Sequence, residues 1–82
     1  MSKYQPISDF LSRVSSDRRR TSFGELEDVL GFSLPMSARK HNAWWANETS
    51  GGRSHKRSWS SAGWRTEALD LSGGRVTFVR AR

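Results

Sequence analysis

Ser22-Phe23-Gly24-Glu25-Leu26-Glu27-Asp28-Val29-Leu30-Gly31, followed by Phe32-Ser33-Leu34-Pro35 and Met36-Ser37-Ala38-Arg39-Lys40-His41-Asn42-Ala43-Trp44-Trp45-Ala46, decides how the chain is read. Ser22 and Glu25 have the S-x-x-E spacing of a capping box, which satisfies free backbone donors at a helix start. Phe23, Leu26, Val29 and Leu30 then make one apolar stripe. Glu25, Glu27 and Asp28 suit the positive end of the helix dipole, and Gly31 is a natural C-cap. A helix over 23–30 follows. Pro35 presets the start of the next helix, expected over 35–46. On a helical wheel Ala38, His41, Asn42 and Trp45 share one side. Met36, Arg39, Lys40, Ala43 and Asn47 share the other, and Trp44 lies between. Two short helices joined by a tight turn are the helix-turn-helix unit.

Working outward, Ile7, Phe10, Leu11 and Val14 predict a helix over about 6–15, with Pro6 in its first turn. Arg18 to Ser22 is polar and admits a short strand. Residues 47–55 read as a loop centred on Gly51-Gly52, followed by a short helix over 55–62 closed by Gly63. Trp64–Leu71 and Arg75–Arg80 read as strands joined through Ser72-Gly73-Gly74. The expected fold class is α+β. Three short helices in a helix-turn-helix-like arrangement precede a C-terminal β-hairpin, a winged-helix-like layout in one domain over 1–82.

At 82 residues one small core fits and a deep active-site cleft does not. Nine aromatics, four of them Trp, argue against wholesale disorder. The absence of Cys excludes disulfides, zinc fingers and thiol chemistry. No apolar run is long enough to span a membrane, and the N-terminus has no signal-peptide core, so the expectation is a cytoplasmic protein with no membrane partner.

The formal charge of +6 is uneven. Residues 1–38 carry five basic and five acidic side chains, whereas 39–82 carry nine basic and three acidic. Arg outnumbers Lys eleven to three, and Arg suits bidentate phosphate and base contacts. Clustered Arg with a pI of about 11.1 is the footprint of a nucleic-acid binder. The expected partner is duplex DNA, bound by a small transcriptional regulator or accessory module. Ser37, Arg39, Lys40 and Ala43 would face the major groove from the 35–46 helix. Arg53, Lys56 and Arg57 of the loop region, with Arg75 and Arg80 of the hairpin, would hold phosphates. The alternative is a protein-interaction module, binding another protein or a second copy, with Trp44, Met36 and Phe32 as apolar anchor and an Arg rim. A third reading is single-stranded nucleic acid stacked on an exposed Trp, for which Trp44 is the candidate.

The run LPMSARKHNAWWAN, then WSSAGW, then VTFVR, resembles a family of small uncharacterised bacterial domains with the pattern LPxSAxxHxxWWxN, WxxAGW, VxFxR. The likeness extends from Phe23 to Arg80. It implies a self-standing domain and supplies no activity and no site residues. Trp45, Trp59 and Trp64 read as core, and Asn47 as a cap of the preceding helix or its loop.

Enzyme chemistry finds little footing. His41 and His55 are the only histidines and do not share a metal-binding spacing. Glu67 and Asp70 are too few carboxylates for a two-metal site and read as partners of neighbouring Arg. No glycine spacing cradles a phosphate and no Ser sits in a nucleophile elbow. The expectation is a non-enzyme with no cofactor and no metal.

Overall fold

The computed structural model describes residues 3–47 and 54–81. The elements are α1 (Gln5–Ser12), β1 (Arg18–Ser22), α2 (Phe23–Leu30), α3 (Met36–Lys40), a 3₁₀ turn (Asn42–Trp45), α4 (Ser54–Ser60), β2 (Trp64–Asp70) and β3 (Arg75–Arg80). The chain is α+β, with four α-helices and one antiparallel sheet among the described residues. Most of the expected 47–55 loop falls on 48–53, outside the described residues.

α2 begins as its sequence dictates. Ser22 Oγ accepts from the Glu25 N–H at 3.0 Å, and Gly31 closes the helix in the left-handed region at φ 83°. There a side chain would be strained. The Glu25 carboxylate pairs with Arg19. β1 forms and pairs with β3, so the sheet order is β1-β3-β2 and the hairpin gains a third strand. Ser22 ends β1 and caps α2, which leaves no loop between them.

The expected single helix over 35–46 is corrected to a five-residue α3 and a separate 3₁₀ turn. The chain breaks at His41, which is extended at φ −125°, ψ 121°. The break leaves the two adjacent tryptophans, Trp44 and Trp45, in the 3₁₀ turn that follows it. After the break their ring centroids lie 4.6 Å apart, edge to face. Trp45 Nε1 donates to the Ala38 carbonyl at 2.7 Å, using a helix-end acceptor that a longer helix would have kept. α2 and α3 therefore do not pack along their lengths as a helix-turn-helix pair. α1 instead packs against both α2 and α4.

The core lies between these helices and the inner face of the sheet. Ile7 and Leu11 of α1, Leu26 of α2, Val76 and Phe78 of β3, and Trp45, Trp59 and Trp64 are all buried. The three core tryptophans are thus where the sequence placed them. Trp59 stacks on Trp45 with centroids 5.8 Å apart and tilts onto Phe78 at 5.8 Å. α4 forms close to its expected limits, and the backbone turns on through Gly63.

Asn47 has a structural role that differs from helix capping. Its side-chain amide donates to the Thr66 carbonyl at 2.9 Å and its oxygen accepts the Thr66 N–H at 2.8 Å. The amide thereby acts as a one-residue strand beside β2, an edge strand that is otherwise open there. Thr66 Oγ1 donates to the Trp45 carbonyl at 2.5 Å, tying the 3₁₀ turn to the sheet. Asn47→Ala is expected to lower stability by about 1–3 kcal/mol, because Thr66 loses both backbone partners. A urea titration reads this, and an unchanged midpoint would contradict it.

Candidate nucleic-acid interface

Arg39, Lys40, His41, Asn42 and Ala43 are five consecutive exposed residues. They form the corner where α3 ends and the 3₁₀ turn begins. Met36, on the same short helix, is 65% exposed and is the one large hydrophobic that lies open among the described residues. Ser37 is half-buried.

Arg39 is committed to the protein. Its guanidinium donates to Glu27 Oε2 at 2.5 Å and lies 5.8 Å from the centre of the Phe23 ring. The same Glu27 oxygen accepts the Leu34 N–H at 2.8 Å, so one carboxylate links α2, the connection and α3. Arg39 hydrogen bonding first, and the Leu34 N–H second, hold the Glu27 pKa below its ordinary value. A depressed folded-state pKa gives stability that is present above the unfolded value, about 4.3 for Glu. It is lost as pH falls through the folded pKa. The urea midpoint is expected to fall on acidification from about pH 6 to about pH 3, less steeply in Glu27→Gln. Equal slopes would contradict the assignment.

The outer face of the sheet carries Arg18 and Arg20 of β1, Arg65 and Glu67 of β2, and Arg75 of β3. Arg18 pairs with Val79, Arg20 with Thr77 and Ser22 with Arg75, so these arginines alternate with the inward residues. Arg18 bonds Glu67 at 3.0 Å and Arg65 approaches it at 3.6 Å. Arg20 and Arg75 form no ion pair among the described residues. An open groove of about 420 Å³ is lined by Arg18, Arg20 and Arg75, with Ala68, Asp70 and Thr77.

Ala68 sits at a bulge. β2 advances from Glu67 to Asp70 while β3 steps only from Thr77 to Arg75, and Ala68 takes the extra position at φ 50°. A second open groove, about 320 Å³, lies between Asn42 and Ala46 on one side and Glu67 to Leu69 on the other. Ala68 lines both grooves. The α3 corner and the arginine face are thereby parts of one continuous surface. The hairpin tip joins it too: Gly74 accepts the Phe23 N–H at 2.8 Å, beside the ring that Arg39 covers.

The tip is held by Asp70, whose Oδ1 accepts the Gly73 N–H at 2.9 Å and the Ser72 hydroxyl at 3.0 Å. The Gly73 bond first, then Ser72, hold its pKa low, so it stays ionised. A Cβ on Gly73 would come within 2.2 Å of that carboxylate, so a side chain there would push Asp70 from this position.

The other expected contacts fall elsewhere. Lys56 is 5% exposed and is corrected from a phosphate contact to a buried residue on α4. Arg80 is also corrected. It lies 4.5 Å over the Trp64 ring, reaches Asp17 at 3.3 Å and donates to the Val14 and Ser16 carbonyls at 2.9 and 3.2 Å. It therefore pins the end of β3 to the α1–β1 connection. Arg57 is exposed, away from the corner on α4, and Arg53 lies outside the described residues. Trp44 is not an open ring. It stacks on His55 with centroids 3.9 Å apart and planes 8° apart, and His55 Nε2 lies 3.0 Å from the Trp44 carbonyl. None of the four tryptophans is exposed, so the anchor of the protein-interaction reading reduces to Met36. Sequence reasoning passed over Arg18 and Arg20. The signal was present as two arginines two apart in a short strand, facing the same side.

Among the described residues no group of three or more His, Asp or Glu is placed to hold a metal ion, and no helix is long and apolar enough to cross a membrane.

The family model for a domain of unknown function, DUF7662, matches residues 4–82. The chain belongs to this family. The match covers nearly the whole chain and agrees with the expectation of a small uncharacterised domain family. No curated protein and no solved structure matches the chain.

Proposed function

We propose that this DUF7662 domain binds duplex DNA as a small regulator or accessory module, with the Arg39–Ala43 corner entering the major groove. The observation that carries the reading is the junction at Ala68. It joins an exposed corner bearing Lys40, His41 and Asn42 to a groove walled by Arg20 and Arg75. Lys reads guanine edges and Asn reads adenine, while arginine forks suit phosphates. In this reading the layout is winged-helix-like. The order helix, strand, helix, helix, hairpin is kept, the sheet runs β1-β3-β2, and α4 is an insertion before the hairpin. The recognition element is the end of α3 with the following turn, because five helical residues span only about 7.5 Å. Within it Lys40, His41 and Asn42 replace Arg39 as the base-facing side chains. Arg39 orients the corner through Glu27.

The test is anisotropy of a fluorescent random-sequence duplex titrated with the protein at about 50 mM and about 200 mM salt. The expected result is binding at low salt with a steep loss at high salt. No binding at low salt would overturn the reading.

A further inference from the structure

Resting on that duplex-binding reading, we propose that the outer face of the sheet is a phosphate-binding cleft. In it Arg20, flanked by Arg18 and Arg75, clamps the sugar-phosphate backbone beside the groove that the α3 corner enters.

Three observations carry this. The first is position. Arg20 lies opposite Thr77 and Arg75 opposite Ser22, so the two arginines are diagonal neighbours on one face of an antiparallel pair. Arg18 stands two residues along the same strand, on the same face. Three guanidinium groups therefore border one open groove of about 420 Å³. That shape admits a linear phosphodiester chain and does not enclose a small molecule.

The second is charge. The carboxylates nearby are Glu67 and Asp70. Glu67 is shared by Arg18 and Arg65 at 3.0 and 3.6 Å. Asp70 is turned to the Gly73 N–H and the Ser72 hydroxyl. Asp70 also lines this groove and is attracted to Arg75 and Arg20, which form no ion pair among the described residues. Three guanidinium groups thus border the groove beside one carboxylate, and the excess positive charge favours a phosphate there. The guanidinium fork fits two phosphate oxygens at once.

The third is continuity. Ala68 forms the floor of this groove and the wall of the one beside Asn42. The two grooves meet at Ala68, so one duplex can reach both.

The test compares wild type, Arg20→Ala, Arg20→Lys and Arg13→Ala on one short duplex across a salt series. Arg13 is exposed at the C-terminal end of α1 and is no part of the groove, so its variant controls for loss of one charge. Arg20→Ala is expected to weaken binding about tenfold and to reduce the log–log salt slope by about 0.9, the value of one phosphate contact. Arg20→Lys should keep the slope and recover part of the affinity, and Arg13→Ala should leave the slope unchanged. Wild-type binding with Arg20→Ala and Arg13→Ala indistinguishable would overturn the cleft and leave the duplex-binding reading standing. No wild-type binding at low salt would overturn both. All variants change exposed side chains, and matching urea midpoints establish that each is folded.

Discussion

Trp45→Ala is expected to cost about 3–5 kcal/mol of stability, enough to unfold much of the population of a domain this small. Trp45 ties together α2, α3, α4 and β2. Trp45 is 1% exposed. Its ring stacks on Phe23 of α2 at 5.1 Å and on Trp59 of α4 at 5.8 Å. Its Nε1 donates to Ala38 of α3, and its carbonyl receives Thr66 of β2. The comparison with phenylalanine separates packing from hydrogen bonding. Trp45→Phe keeps a ring but leaves the buried Ala38 carbonyl without its donor, a loss of about 1–3 kcal/mol beyond the change in volume. Trp64 is equally buried, yet its Nε1 has no hydrogen-bond partner among the described residues. Trp64→Phe is therefore expected to cost less than about 1.5 kcal/mol. Urea unfolding followed by far-ultraviolet circular dichroism reads all three variants. A Trp64→Phe loss as large as that of Trp45→Phe would contradict the account of the break at His41.

The second large effect concerns binding. Reversing charge at both Arg20 and Arg75 to Glu is expected to weaken duplex binding by at least about a hundredfold at low salt. Two phosphate contacts disappear, and two carboxylates join Asp70 in the same groove. The salt slope should fall by about 1.8, or about 0.9 for each contact removed. Fluorescence anisotropy on the labelled duplex measures both quantities. Affinity within twofold of wild type would place the phosphate contacts elsewhere on the molecule. Because Arg75 faces Asp70 at the hairpin tip, the unfolding midpoint of the double variant is measured alongside.

Much of this architecture could be read from local sequence. Ser22, Glu25 and Gly31 delimit α2 because each satisfies or relaxes a backbone requirement in its own neighbourhood. The three core tryptophans and the β-hairpin were legible for the same kind of reason. The break in the 35–46 segment was not. Pro35 and the good helix formers after it favour a helix, and a tertiary contact overrides them: Trp45 Nε1 takes the Ala38 carbonyl that a continuing helix would have used. Lys56 and Arg80 look like surface charges in sequence, but burial on α4 and the Trp64 ring decide otherwise. Asn47 reads as a cap because the expected 35–46 helix ends just before it, and its pairing with Thr66 depends on where β2 lies. Lys40 and Ala43 are exposed, as the helical wheel expects of them. Arg18 and Arg20 were missed because their segment reads only as a polar stretch that admits a short strand, and the charges of residues 1–38 sum to zero. Only the pairing of β1 with β3 sets them beside Arg75.

The most direct test of the central claim is a two-dimensional amide NMR titration of the isotope-labelled domain with a short duplex at low salt. The account predicts shift changes concentrated at Lys40–Ala43, at Arg18 and Arg20, and around Ala68 and Arg75. The α1 and α4 surfaces should stay largely unperturbed. Changes confined to α1 and α4, or no changes at saturating duplex, would contradict it.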